Sequence, residues 1–291
     1  MNKAVRTIGE LFSLAYERIL IPQIGVALSD FPNFSRLVGG LRPREFTIVC
    51  GSTGTGKTTW LANMSACLLK QGTKHFVASV ETGDIDYAVR VMSALAGTDF
   101  NTGEAVEIER VKDFQNKYGA LVEGDNLILS IYEDRTPVED MLAAIESARL
   151  MGAKVAFIDN LNFFMEVTSA NNQVAEMDRV VHEFIIYCKK HDIHVVMIMH
   201  PRKTAFGARV ESEFDIKGSS TAVQEAHNIF LLNRPHPELI EQNLATSDDR
   251  ELRIQKLRRR GKSVGQTIIL KSLTGADYSE KAVINWLPSK N

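Results

Sequence analysis

Residues 46–69 read FTIVCGSTGTGKTTWLANMSACLL, and this stretch decides the fold. Phe46–Cys50 is an apolar run of strand length. The next eight residues, Gly51-Ser52-Thr53-Gly54-Thr55-Gly56-Lys57-Thr58, fit G-x-x-x-x-G-K-[ST] at every position, and a helical pattern over Thr58–Leu69 follows at once. The glycines let the backbone curl until its N–H groups point inward at an anion, and the helix start adds a partial positive charge. Lys57 then reaches the β- and γ-phosphates of a nucleotide, and the Thr58 hydroxyl is placed to ligate Mg²⁺. Gly51, Ser52, Thr53, Gly54, Thr55, Gly56, Lys57, Thr58 and Thr59 form the candidate cradle for ATP or another nucleoside triphosphate.

Outward from this unit, apolar strand-like runs alternate with helical segments. Phe76–Val80 reads as a strand, and Asp84 opens a helix over Ile85–Ala96. Leu127–Tyr132 reads as a strand, and Thr136-Pro137-x-Glu139 starts a helix to about Met151. Val155–Ile158 and His194–Met199 are continuous apolar runs, with a helix from about Ala175 to Lys190 between them. Such runs suit strands buried on both faces, so the pattern predicts a mostly parallel, helix-covered sheet. Ile229–Leu232, Leu252–Leu257 and Gln266–Leu270 lack long helices between them and read as antiparallel additions at one edge.

Strand ends supply the remaining candidates. Asp159 closes the run Val155–Ile158, the expected place for a carboxylate that helps hold the magnesium. Glu81 follows the strand after the loop unit, where ligands gather in a doubly wound sheet, and is the candidate base. His200 ends another buried strand and faces the same edge.

The bulk numbers exclude several classes. A net charge of -2 gives no global basic field, so nucleic-acid binding has to rest on local patches. Cys50, Cys67 and Cys188 lie far apart in apolar runs, with neither metal-site nor disulfide spacing, and read as buried, reduced thiols. No signal peptide is read at the N-terminus, and no apolar run reaches the roughly 18 residues of a membrane helix. A cytoplasmic, soluble protein without membrane partners is expected.

Taken together, the pattern resembles the RecA-like motor domain of DnaB-type replicative helicases, and within them Twinkle and the phage primase-helicases. The resemblance spans nearly all of residues 5–271. It rests most on Ile158-Asp159-Asn160-Leu161-Asn162-Phe163, His200-Pro201-Arg202-Lys203, Gly218-Ser219-Ser220 with Gln224-Glu225-Ala226-His227-Asn228, and Lys256-Leu257-Arg258 followed by Gly261. It implies Glu81 as catalytic base, Asp159 for Mg²⁺ and water, and His200 as a switch between γ-phosphate and DNA. It further implies that Lys256 and Arg258 act in trans, with Arg258 as the finger in a neighbour's site. Arg259 and Arg260 leave the choice of finger open. Beyond Lys271 the sequence no longer tracks the family, and there is no room for a primase or zinc-binding module, so a primase would be a separate partner or part of a longer protein.

The family grips single-stranded DNA with loops facing a central channel. The matching segments are Phe163–Gln173, His200–Phe214 and the stretch before Ser219, with Arg202, Lys203 and Arg209 as positive side chains. Backbone neutralisation predicts log K falling by roughly 0.7 per phosphate contact per decade of salt. Thr7-x-x-Glu10 opens an amphipathic helix to Leu20. Either it packs on its own domain or, as the family implies, it docks on an adjacent subunit, the reading favoured here. Residues 1–22 are thus read as a linker helix and 23–291 as the ATPase domain of a homo-hexamer, or heptamer, moving 5′ to 3′. Two rivals stand beside it: a RecA/RadA-like recombinase, and a regulatory ATPase that does not unwind DNA.

Overall fold

β1 (Phe46–Cys50) lies at the centre of a nine-stranded sheet because every one of its side chains is buried. The computed structural model describes residues 7–20, 24–130, 136–161, 170–202, 209–217, 220–272 and 274–285. Its other strands are β2 (His75–Ser79), β3 (Leu127–Leu129), β4 (Val155–Asp159), β5 (His194–Met199), β6 (Asn228–Asn233), β7 (Arg250–Leu257), β8 (Thr267–Ser272) and β9 (Tyr278–Ile284). They are ordered β3-β2-β4-β5-β1-β6-β7-β8-β9. From β3 to β6 all neighbours are parallel. From β6 to β9 they are antiparallel. One expectation is thereby corrected. The strand at Ile229–Leu232 is not an antiparallel addition, because Thr47 to Cys50 pair in parallel with Asn228 to Leu231. Only β7, β8 and β9 extend the edge.

Alternation along the central strands feeds two cores. Ile48, Ala78, Ile158 and Met197 face α6 (Val138–Leu150) and α7 (Ala170–Lys190), with Met141, Ile145, Phe184 and Cys188. Val49, Val77, Phe157 and Ile198 face the opposite layer. That layer holds α2 (Pro32–Val38), α3 (Lys57–Lys70), α4 (Asp84–Ala96) and α5 (Ile108–Val122). α3 is buried almost along its whole length, and its Ser65 hydroxyl meets the Tyr87 hydroxyl of α4 at 2.9 Å. Helices on both faces of a mainly parallel sheet are what the continuous apolar strands require.

Several elements had no reading in the sequence: α2 within the Pro- and Gly-containing stretch, α5, α8 (Ser220–Glu225), α9 (Pro237–Glu241) and β9. The strand expected over Leu127–Tyr132 is present as Leu127–Leu129, and Ile131 and Tyr132 lie outside the described residues. All three cysteines are buried and free.

α1 (Ile8–Leu20) begins with the expected capping box: the Thr7 N–H donates to Glu10 Oε2 at 2.7 Å and the Glu10 N–H to Thr7 Oγ1 at 3.3 Å. Its apolar side chains are nonetheless exposed, Phe12 by 56% and Ile19 by 74%. Among the described residues, no helix is long and apolar enough to cross a membrane.

Candidate functional site

Parallel strands carry their carboxyl ends to one edge, and the order β2-β4-β5-β1 sets the residues after those ends side by side. The loop after β1 turns sharply at Gly54 (φ +77°) and Gly56 (φ +88°), both in the left-handed region. At Gly56 a β-carbon would also collide with the Tyr278 hydroxyl, and at Gly51 with the Leu232 carbonyl. Thr55 Oγ1 closes the curl on the Ser52 carbonyl at 2.8 Å.

Lys57 opens α3 with its Nζ donating to the Ser52 carbonyl at 3.0 Å. Burial lowers its pKa, while Asp159 opposes that shift. The ammonium is thus held in a cradle with few partners, ready for an anion. Thr58, one residue on, donates from Oγ1 to Asp159 Oδ2 at 2.6 Å. Asp159 is 1% exposed; burial raises its carboxyl pKa, and the Thr58 hydrogen bond works against this. Two hard oxygens at the mouth of a phosphate loop suit Mg²⁺, which takes one or two protein oxygens and completes its shell with phosphate and water.

Glu81 stands two residues past β2. Asn160 Nδ2 donates to Glu81 Oε2 and lies 3.0 Å from His200 Nε2, while His200 Nε2 is 3.7 Å from the same carboxylate. Contact with His200, and further off the Lys57 charge, hold the Glu81 carboxyl below the usual range although partial burial pushes it up. The edge therefore brings together Lys57, Thr58, Asp159, Glu81 and His200. Asn160 bridges two of them and had been read only as part of a motif. Thr53 and Gly54 are exposed at the loop's tip, and Thr59 is half-buried on α3.

Two further residues at this edge had no reading in the sequence. Arg250, which begins β7, donates from Nε to the Thr55 carbonyl at 2.9 Å. Tyr278 begins β9 and covers Gly56. Antiparallel strands brought back to the loop account for both, and the lack of any motif in residues 250 and 278 explains why they were not seen.

Lys256 and Arg258 lie elsewhere. β7 runs against β6, so Lys256 pairs with Ile229, and the Arg258 N–H donates to the His227 carbonyl at 3.0 Å. That is the level at which β1 begins, roughly 13 Å of strand from its own phosphate loop. Lys256 Nζ donates to the carbonyls of Val223 (2.9 Å) and Gln224 (2.7 Å), and Arg258 Nη2 to that of Gln224 (2.9 Å), at the carboxyl end of α8.

Of the side chains expected on DNA, Arg202 donates from Nε to the Ile216 carbonyl at 3.3 Å. It lines a groove of about 310 Å³ that Lys256 also lines. Arg209 is engaged by Glu251 (2.6 Å) and Glu211 (3.0 Å). Lys203 lies outside the described residues, as do Asn162 and Phe163, most of the segment Phe163–Gln173, and Gly218 and Ser219.

A phosphate loop after the central strand, with acidic residues at the ends of neighbouring strands, defines a P-loop nucleotide-binding protein of RecA-like architecture. Residues 21–205 match the AAA domain family, and the chain belongs to that family of ATPases. Its fold is also that of two solved structures. A structure of a DnaB-like replicative helicase, described with its interactions with primase, superposes with a TM-score of 0.74 at 15% identity, over 94% of this chain and 67% of that one. The ATPase domain of G40P superposes with a TM-score of 0.74 at 14% identity, over 96% of this chain and 100% of that one.

Proposed function

We propose that this chain is the ATP-hydrolysing motor of a DnaB-type replicative helicase, working as a ring of six or seven copies that moves 5′ to 3′ on single-stranded DNA and opens duplex. The observation that carries this reading is the division of the catalytic groups between two edges of one sheet. Lys57, Thr58, Asp159, Glu81 and His200 gather at the carboxyl edge, whereas Arg258 stands at the opposite edge, out of reach of its own phosphate loop. Such a chain is incomplete alone and complete beside a copy of itself.

In this reading the loop amides and Lys57 hold the triphosphate, with Gly51 to Thr59 as the cradle. Thr58 and Asp159 would hold Mg²⁺, which would supply positive charge against the triphosphate. Glu81, kept ionised by His200, orients the attacking water and takes its proton; Asn160 and His200 fix its carboxylate. Arg258 and Lys256 of the adjacent copy meet the charge that develops on the transferred phosphoryl group. A finger of this kind contributes ~10³–10⁵ in rate in related enzymes.

His200 passes the state of the nucleotide on to the DNA grip, to which Arg202 and Lys203, next in the sequence, belong in this reading. Arg209 joins that grip by exchanging Glu211 or Glu251 for a DNA phosphate. α1 docks through its apolar stripe on the adjacent copy, residues 1–22 acting as linker and 23–291 as motor. A primase, supplied as a separate partner or by a longer form of the protein, is the expected companion of such a motor.

The test is unwinding of a forked duplex with one free tail at a time, beside Lys57→Ala, with particle size measured with and without nucleotide. Strand separation from a 5′ tail, lost in Lys57→Ala, is expected. Hydrolysis of ATP with no separation in any tail geometry would instead favour the regulatory ATPase, and filaments in place of rings the recombinase.

A further inference from the structure

Three consecutive arginines, Arg258 to Arg260, follow β7, and the structure gives each a different partner. Arg258 reaches the end of α8. Arg260 donates from Nη1 to the Arg36 carbonyl at 2.7 Å, at the close of α2. Arg259 sets its Nε 3.0 Å from Oε1 of Glu45, a carboxylate 2% exposed at the very start of β1. Arg42 Nη1 stands 3.9 Å from the same oxygen. Two guanidinium groups, those of Arg259 and Arg42, thus share one carboxylate, and Arg260 adds its charge near Arg42. Burial lowers the Arg42 pKa, Glu45 raises it, and the charges of Arg260 and Arg259 lower it further.

The carboxylate is also tied to the strand starts. Asn228 Nδ2 donates to Glu45 Oε2 and to Thr47 Oγ1, each at 3.1 Å. Thr47 Oγ1 is 2.9 Å from His194 Nε2, and His194 Nδ1 is 2.6 Å from the Arg42 carbonyl. That carbonyl only accepts, so His194 carries its proton on Nδ1 and its Nε2 accepts from Thr47. Burial, which pushes the His194 pKa down to about 4, keeps the ring neutral for this role. One residue beyond Glu45, Phe46 accepts from the His227 N–H at 3.0 Å, and His227 in turn accepts from the Arg258 N–H at 3.0 Å. The backbone of the finger is therefore two hydrogen bonds from the residue next to Glu45.

We infer that Glu45, through its ion pair with Arg259, is a positioning residue for Arg258: it neutralises the arginine cluster at the root of the finger and so fixes the direction in which Arg258 meets the neighbouring nucleotide. This rests on the reading of Arg258 as a finger in trans. Glu45 itself touches no phosphate. Removing only its charge, as in Glu45→Gln, leaves an oxygen for Asn228 but turns a compensated cluster into two unshielded cations, Arg42 and Arg259, around a buried site. Relief comes by swinging the end of β7 outward, and a displacement of about 1 Å in a catalytic group is enough to cost roughly 10²-fold in rate.

The experiment measures steady-state ATP hydrolysis on single-stranded DNA for Glu45→Gln, Arg259→Gln and the double variant in the full chain, each checked for melting temperature and ring size. Glu45→Gln is expected to lower kcat by roughly 10–100-fold with KM for ATP little changed. Arg259→Gln, which leaves Arg42 beside Glu45, is expected to lower it less. The double variant, having shed one of the repelling cations, is expected to recover part of the Glu45→Gln loss, a non-additivity that independent sites do not give.

Mixing supplies the readout in trans. Glu45→Gln subunits keep an intact phosphate loop and Lys57→Ala subunits an intact finger, so mixed rings are expected to exceed the summed activity of the two alone. Arg258→Ala mixed with Lys57→Ala is the parallel arm. Rescue there without rescue for Glu45→Gln overturns the positioning role and leaves the finger standing. Failure of both arms removes the finger, and the role of Glu45 with it. Equal loss in KM and melting temperature, with no recovery in the double variant, reduces Glu45 to a folding residue and also overturns the inference.

Discussion

Thr58 donates its hydroxyl proton to Asp159 at 2.6 Å, across the gap between the start of α3 and the end of β4. The two oxygens satisfy each other, and burial leaves the carboxylate at an energetic disadvantage. Burial raises its pKa. A carboxyl that binds its proton more tightly when folded loses stability as pH rises through the range between its unfolded and folded pKa, and that cost persists at neutral pH.

Asp159→Asn should therefore raise the melting temperature of the nucleotide-free protein at pH 7–8, because the amide oxygen still accepts from Thr58 and no charge is buried. Hydrolysis should fall by roughly 10²-fold or more, since the variant no longer helps hold the metal. Calorimetry and an ATPase assay on the same preparation check both halves. A lower melting temperature in Asp159→Asn would contradict the assignment of a destabilising buried charge.

Glu81 leads to a prediction in the opposite sense. Its carboxyl is held low chiefly by His200, so its ionised form adds stability above the ordinary carboxylate range and loses it as pH falls through the folded pKa. In its proposed role as base, the lowered pKa favours the ionised, competent form. His200→Ala removes the principal cause, and the acid limb of the kcat–pH profile should move to higher pH. An acid limb that stays in place in His200→Ala would mean that some other group sets it.

How much of this was legible beforehand depended on whether the signal was local. The loop, its strand and its helix share one run of residues, and β1 came out as read, Phe46–Cys50. Asp159, Glu81 and His200 were legible because strand ends in a parallel sheet converge by topology. Asn160 was hidden in a motif: nothing local says that its amide joins Glu81 and His200. Arg250 and Tyr278 reach the loop only through antiparallel pairing of β7 with β6 and β9 with β8, which no single stretch encodes. The parallel direction of β6 was misread because no long helix separates it from β7, and that was taken to mark the whole edge as antiparallel. α5 was missed where its polar face outweighs the apolar positions, Phe114 being its one buried residue.

The glycines of the loop separate two physical effects. Gly54 needs only its left-handed backbone, with nothing within 4 Å of an added β-carbon; Gly56 needs both its backbone and the space that Tyr278 fills. Gly54→Ala is expected to cost the conformational penalty alone, ~1–2 kcal/mol, seen as weaker nucleotide binding with a folded protein. Gly56→Ala should weaken binding further and shift the tyrosine signal, because Tyr278 must move. Equal affinities for the two variants in titrations with a fluorescent nucleotide would show that the packing of Tyr278 on the loop does not matter.

The last prediction concerns α1. Leu11, Phe12, Leu14, Tyr16, Ile19 and Leu20 are all exposed, from 44% for Leu14 to 80% for Leu20. A contiguous apolar patch on a helix with its own capping box marks an interaction surface more readily than a free one, and α1 contributes little to either core. Deleting residues 1–22 should therefore leave the melting temperature of the monomer nearly unchanged while the ring is lost, read by light scattering with and without nucleotide. On the proposed reading of Arg258 as a finger in trans, basal hydrolysis should fall with it, and raising the protein concentration should restore part of the activity by mass action. Phe12→Asp with Ile19→Asp offers the same test with the chain length kept. Rings that persist in both variants would assign assembly to the ATPase domains alone and return α1 to the surface of its own subunit.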